Sequence, residues 1–174
     1  MRKIIIGVLS ISFFISLIYL DKNDRKYNTN NNGYRNQLLE FFDTSDTQTR
    51  LNYINEFKNP KFKFPREEAS NIILYRNLFL ISRITKKEIS KNSIQDLTTF
   101  FNNPDNFSWG ETTWSLDESD YILRFFDEND KLIGQIWICL EGCKMTFADP
   151  FTPNMKYGGL SKEGTEKLIK LLDI

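Results

Sequence analysis

The chain contains no histidine among its 174 residues, and it has only two cysteines. Without histidine it cannot form a Ser-His-Asp triad, a Cys-His pair or a histidine-ligated metal site. It also lacks the motifs G-x-G-x-x-G, G-x-x-x-x-G-K-[ST], S-x-x-K and C-x-x-C. From these absences we predict no catalytic residue, no metal site and no cofactor.

Outside the N-terminal part of the chain, acidic residues slightly outnumber basic ones. Residues 1–33 hold five basic and two acidic residues, a net charge of +3, and the chain as a whole is neutral, so residues 34–174 carry −3. Nucleic acids are bound through clustered Lys and Arg that neutralise phosphates. We therefore predict no nucleic-acid partner.

The sequence has one long uncharged apolar run, Ile4–Leu20, which directly follows two basic residues. At the rise of an α-helix its 17 residues span about 25 Å, slightly less than the hydrocarbon core of about 30 Å. The run ends in bulky residues instead of the small ones that precede a signal-peptide cleavage site. We predict that residues 1–20 are an uncleaved anchor, which contacts the membrane through residues 4–20.

Two other interpretations of this run stay open: a cleaved signal peptide, and a buried core helix, which would need more polar residues than the three serines of the run. The basic residues Arg2 and Lys3 favour a cytoplasmic N-terminus, although the basic residues after the run nearly cancel that preference. A short N-terminal apolar segment normally acts as a signal-anchor. We therefore predict a single-pass membrane protein whose domain is extracytoplasmic.

The rest of the chain divides into a linker and one domain. Residues 21–33 are polar and rich in asparagine, so they have little apolar surface to bury and indicate a flexible linker. The remaining 141 residues, 34–174, are enough for a single hydrophobic core.

The first half of the domain predicts helices and one ambiguous apolar segment. Apolar residues recur at helical spacing between residues 34 and 58, and the alternating segment 61–65 favours a short extended stretch. The run 72–84, IILYRNLFLISRI, is apolar on every side, and its β-branched and aromatic content favours a strand over a buried helix. A capping-box pattern that begins at Ser93 predicts a helix over 93–103.

The second half of the domain predicts an antiparallel β-meander over residues 107–148. Its strands are 107–114, 121–126, 132–140 and the segment from Cys143, with a hairpin loop at 127–130. Gly142 ends a tight turn and is expected in the left-handed region. Along the third strand, one face presents Ile136 and Ile138, and the other presents Gln135, Trp137 and Cys139.

After the meander, Ser161 is predicted to cap a C-terminal helix that has Leu168, Ile169 and Leu172 on one face. The fold class is therefore α+β. We expect an antiparallel sheet of about four to five strands packed against helices, preceded by one N-terminal transmembrane helix.

Cys139 and Cys143 flank the turn at Gly142 and are predicted to face each other across the hairpin as a disulfide. Such positions bring Cα atoms within the range of about 4.4–6.8 Å that a disulfide tolerates, and the bond persists in an exported domain. Two free thiols are the main alternative. The C-x-x-x-C spacing resembles that of membrane-tethered copper-delivery proteins of thioredoxin fold, but those also need a distant histidine. Structural zinc would need four ligands.

The aromatic residues Trp109, Trp137, Phe151 and Tyr157 are candidate binding residues beside the proline-rich loop 149–159. Aromatic side chains next to rigid loops are effective interface anchors, and packing in the core is the alternative. Six carboxylates also cluster around the predicted sheet, and we interpret them as turn residues or a solvated rim: Glu111, Asp117, Glu118, Asp120, Asp127 and Asp149.

These patterns support two hypotheses of function. The first is a non-enzymatic domain of the cell envelope, tethered to the membrane, that binds a protein partner, for example as an inhibitor, an immunity protein or an assembly factor. The second is an envelope enzyme that uses carboxylates or the cysteine pair, and it requires a concave site with at least two of Glu111, Asp149, Cys139 and Cys143. The identity of the partner and the oligomeric state do not follow from the sequence.

Overall fold

A computed structural model describes residues 2–24, 62–109, 118–150, 152 and 158–174. The helices predicted between residues 34 and 58 lie outside the described residues. So do Glu111, Asp117, Phe151 and Tyr157 and the side chain of Trp109.

The described residues form three α-helices and seven β-strands. The helices are α1 (Arg2–Asp24), α2 (Lys91–Asn102) and α3 (Lys162–Leu172). The strands are β1 (Asn71–Arg76), β2 (Lys87–Glu88), β3 (Phe107–Trp109), β4 (Tyr121–Phe126), β5 (Leu132–Cys139), β6 (Met145–Asp149) and β7 (Gly158–Leu160). The predicted α+β class is confirmed.

The seven strands make one antiparallel sheet in the order β2-β1-β4-β5-β6-β7-β3. The expectation of about four to five strands was therefore too low, because β2 and β7 have three residues or fewer and show no periodicity. The meander is confirmed for β4, β5 and β6. The predicted first strand is present as Phe107–Trp109, but its place in the meander is wrong, since β3 pairs with β7 through Phe107 and Leu160 instead of with β4.

The hairpin between β4 and β5 forms where the sequence predicts it. Asp127 organises the loop, because its Oδ1 accepts hydrogen bonds from the backbone N–H groups of Asn129 (2.8 Å) and Lys131 (2.9 Å). This is the side-chain-to-backbone pattern of an Asx turn. Asp130 takes the left-handed conformation, with φ of 59°.

The main core lies between one face of the sheet and helices α2 and α3. It contains Ile136 and Ile138, as their predicted common face requires, together with Leu97, Phe100 and Phe101 of α2 and Leu168 and Leu172 of α3. Full burial of such side chains stabilises the folded state by about 1.5–3 kcal/mol each. Ile169, which the sequence places on the same face of α3, is exposed.

The segment around Phe64 is not the extended stretch that its alternation predicted. Phe64 is fully buried and contacts Phe125 edge to face, with ring centroids 4.9 Å apart. Its backbone N–H donates to the Oδ1 of Asn102 at 2.8 Å, and the amide of Asn102 donates back to the Phe64 carbonyl. A side chain on α2 therefore provides the hydrogen bonds that a neighbouring strand would otherwise supply.

Helices α2 and α3 begin differently. Helix α2 begins at Lys91 after Ser90, whose side chain makes no capping bond, so the predicted start at Ser93 was wrong. Helix α3 begins as predicted, with the Oγ of Ser161 accepting from the Gly164 N–H at 2.9 Å. A Cβ atom at Gly164 would lie 2.1 Å from the carbonyl oxygen of Asn106, so glycine is required for this close approach.

The apolar run 72–84 is a strand only in its first part. Strand β1 ends at Arg76, and residues 77–81 form a loop that continues into a 3₁₀ turn, Ser82–Thr85. The prediction of a strand is confirmed for the part that pairs with β4 and wrong for the rest.

Helix α1 includes the whole apolar run Ile4–Leu20. Side chains are described for residues 9–20 of this helix, and none of them is buried. A helix both long enough and apolar enough to cross a bilayer was not found in the described part of the chain. The anchor consequently stays a prediction.

Candidate functional site

The second face of the sheet carries an aromatic layer. Trp137 lies opposite Ile122 on one side and Phe147 on the other, and its ring centroid is 5.9 Å from that of Phe147. The side chain of Trp137 is only 1% exposed. Trp137 is the one of the four candidate binding aromatics whose side chain the structure describes. It is buried, which agrees with the alternative that it packs in the interior.

A polar row crosses the same face one step along the strands. Arg124 Nε donates to Gln135 Oε1 at 2.7 Å, and the Arg124 guanidinium lies over the ring of Tyr75, 5.2 Å from its centroid. Asp149 is the neighbour of Gln135 in the strand register. A buried amide and a half-buried cation need such partners, because leaving them unpaired costs free energy. This arrangement explains how polar residues are accommodated in the sheet.

Cys139 and Cys143 lie at disulfide distance, with their Cα atoms 5.8 Å apart. They do not face each other across two strands, since Cys139 pairs with Met145 and Cys143 lies within the five-residue connection 140–144. The tight turn predicted to end at Gly142 is therefore too short, because the connection continues to Lys144. Gly142 takes the left-handed conformation as predicted, with φ of 97°.

A carboxylate holds this connection in place. Asp120 Oδ2 accepts hydrogen bonds from the backbone N–H groups of Leu140 (2.7 Å) and Glu141 (2.9 Å). Together with Asp127, it confirms the interpretation of these two carboxylates as turn residues. Glu118 is exposed.

Among the residues that the enzyme hypothesis names, Asp149 lies apart from the two cysteines in the part of the chain that the structure describes. Asp149 lies four residues along β6 from Met145, the partner of Cys139, which corresponds to about 13 Å. Within the described ranges, no group of three or more Cys, Asp and Glu side chains is arranged to hold a metal ion. Asp149 and the cysteine pair therefore do not share one site.

A groove lies between residues 63–70 and helix α2, with a volume of about 1150 Å³. We call it the α2 groove. Residues of both charges and neutral polar residues line it, among them Lys63, Arg66, Glu67, Lys91, Gln95 and Thr99. At its rim, Glu67 forms an ion pair with Lys131 at 3.3 Å.

The sequence did not reveal the α2 groove. Its two walls come from separate segments, and the residue that joins them, Asn102, has no distinctive motif around it. The only sequence signal was the polar side of the predicted helix 93–103, which is typical of any helix that lies on a surface.

Comparison with known protein families, with curated proteins and with solved structures found no match.

The α2 groove is therefore the candidate site on the strength of its own geometry. It is open and polar, and it presents donors and acceptors from two elements.

Proposed function

We propose that this chain is a membrane-tethered, non-enzymatic binding domain of the cell envelope that contacts a protein partner through the α2 groove. Roles as an inhibitor, an immunity protein or an assembly factor are concrete versions of this proposal. The observation that carries it is the groove itself, which offers both charges on one concave surface.

The two walls of the groove offer complementary chemistry. The wall from residues 63–70 contributes Arg66 and Glu67, and Arg66 Nη1 donates to the carbonyl of Lys63 at 2.5 Å, so the guanidinium is held close to this wall. Helix α2 contributes Lys91 and the uncharged Gln95. A partner with an acidic and a basic residue at matching positions would pair with both walls, and complementary charges favour specificity.

The tether is supported by the apolar side chains of α1. Large apolar residues are exposed on all sides of the helix: Leu9, Ile11, Phe13, Phe14, Ile15, Ile18 and Tyr19. A helix that is apolar all round needs an apolar environment. The uncharged run is shorter than the hydrocarbon core by about 5 Å, a mismatch that basic residues at both ends offset by extending to the headgroups.

The cysteine pair supports export of the domain. The 5.8 Å separation of the Cα atoms allows a disulfide between Cys139 and Cys143, and disulfides persist in oxidising compartments outside the cytoplasm.

Affinity capture of the full chain from a detergent extract tests the proposal. We expect a stoichiometric protein partner that Lys91→Glu removes, because this change reverses a charge in the groove. Lys162→Glu is the matched control, since it makes the same exposed change at the first residue of α3, where a carboxylate is equally favourable. Recovery of no partner above background, or equal loss with both variants, would contradict the proposal.

A further inference from the structure

Residues 77–85 form a loop in which the usual positions of apolar and polar side chains are exchanged. We call it the 77–85 loop. Four large apolar side chains are exposed on it, Leu78 at 37%, Phe79 at 72%, Ile81 at 44% and Ile84 at 79%. Ser82, by contrast, is buried. Contiguous exposed apolar residues mark a surface that is covered in the functional state.

The polar side chains of the loop bond its own backbone and its neighbours. The Asn77 amide donates to the carbonyl and the hydroxyl of Ser119 at 2.9 and 2.7 Å. Ser82 Oγ donates to the Leu78 carbonyl at 2.6 Å, and Thr85 Oγ1 donates to the Ser82 carbonyl at 2.6 Å. These two bonds pair the carbonyls of Leu78 and Ser82 and so lower the free-energy cost of moving this part of the loop into a less polar medium.

Basic residues lie close to the exposed apolar side chains in the sequence. The segment 76–88 contains four basic residues and one acidic residue, in a domain whose net charge is negative. Arg76, Arg83 and Lys86 are exposed. Lys86 pairs with Glu88 at 2.7 Å, and this hydrogen-bonded pair raises the pKa of Lys86.

We propose that the 77–85 loop enters the interfacial region of an anionic bilayer and forms a second membrane contact beside the tether. The proposal rests on the tether proposed above, which would keep the domain at a lipid surface. Phe79 and Ile84 enter the region between headgroups and acyl chains, and the basic residues contact anionic headgroups. The basic residues of the segment 76–88 favour an anionic bilayer over an apolar surface of a protein.

Lipid photocrosslinking tests the loop in the full chain. The protein is reconstituted in vesicles of phosphatidylcholine with phosphatidylglycerol that contain a lipid with a diazirine in its acyl chain, and labelled peptides are mapped by mass spectrometry. We expect labelling of residues 77–85 as well as of residues 4–20. Labelling of the loop should fall several-fold in pure phosphatidylcholine and at high salt, because the headgroup contribution is electrostatic.

In the double variant Phe79→Ser, Ile84→Ser, labelling of the loop should fall several-fold, whereas labelling of residues 4–20 should be unchanged. The matched control is Leu132→Ser, Ile174→Ser, which removes two exposed apolar side chains elsewhere and should leave the loop labelled.

Each outcome separates the loop from the tether. Labelling confined to residues 4–20 overturns the contact through the loop and leaves the tether intact. Labelling of the loop without residues 4–20 supports the loop and overturns the tether. Equal labelling of the loop in neutral and anionic vesicles, or crosslinks from the loop to another polypeptide instead of lipid, overturns the proposal of an anionic lipid surface.

Discussion

The apolar run 72–84 has two parts that differ in burial although they resemble each other in composition. In β1, Ile72 is fully buried and Leu74 is 3% exposed, both in the core beneath α2 and α3. In the 77–85 loop, Phe79 and Ile84 project into solvent. Apolar content alone therefore does not determine which side of the backbone faces the core.

Polar residues account for the difference. Asn77 follows the last residue of β1 and bonds to Ser119, just before β4, so the chain leaves the sheet there. Thr85 Oγ1 then accepts the N–H of Arg76 at 2.8 Å, which closes the loop at its base. Because these polar side chains turn inward, the apolar side chains between them are left outside.

The largest expected effect contrasts two isoleucines of the same run. Ile72→Ala should lower the free energy of unfolding by about 2–5 kcal/mol, because it leaves a cavity in the core. Ile84→Ala, the control, should change it by less than about 0.5 kcal/mol, since the side chain is exposed. Denaturant unfolding monitored by circular dichroism measures both, and similar losses would show that the loop is packed.

A smaller effect is expected where the loop leaves the sheet. Asn77→Ala removes the donor to Ser119 and should lower the free energy of unfolding by about 1–3 kcal/mol. Asn77→Asp, which keeps the size of the side chain but places a carboxylate against the Ser119 carbonyl, should lose at least as much stability. Amide hydrogen exchange of residues 77–85 should become faster in both variants. Unchanged exchange would show that this contact does not hold the loop.

A substitution at the base of the loop should lower the free energy of unfolding by a smaller amount. Thr85→Val keeps the shape of the side chain and removes the hydroxyl that joins Arg76 to Ser82, at a cost of about 1 kcal/mol. Thr85→Ser keeps the hydroxyl and should therefore lose clearly less stability than Thr85→Val. A thermal melt of the three proteins distinguishes them, and equal losses in both variants would contradict the role assigned to the hydroxyl.

The smallest effect is expected at the most exposed aromatic of the loop. Phe79→Ser should leave the free energy of unfolding within about 0.5 kcal/mol of the parent protein. It should at the same time reduce the binding of a hydrophobic dye to the folded protein. A large loss of stability would place Phe79 in the core.

The sequence predicted the elements that have clear local signals. Strands β4 and β5 have the expected bounds to within one residue, and Ser161 caps α3. These features depend on alternation, on turn residues or on one side-chain bond, all of which are local.

Features that depend on distant partners were not predictable. The pairing of β3 with β7 joins residues about fifty positions apart, and two short strands give no periodicity to suggest it. The insertion of Phe64 in the core depends on Asn102. The α2 groove is missed for the same reason, since its walls come from separate segments.

Asp120 gives two separate loops a common point of attachment. Its carboxylate accepts from the connection after β5, and its carbonyl accepts the N–H of Asn77 at 2.7 Å. Substitutions in the two loops are therefore not independent perturbations, and their free energies should deviate from simple addition. Mechanical strain at the cysteine-bearing connection would therefore reach the apolar surface in part through Asp120.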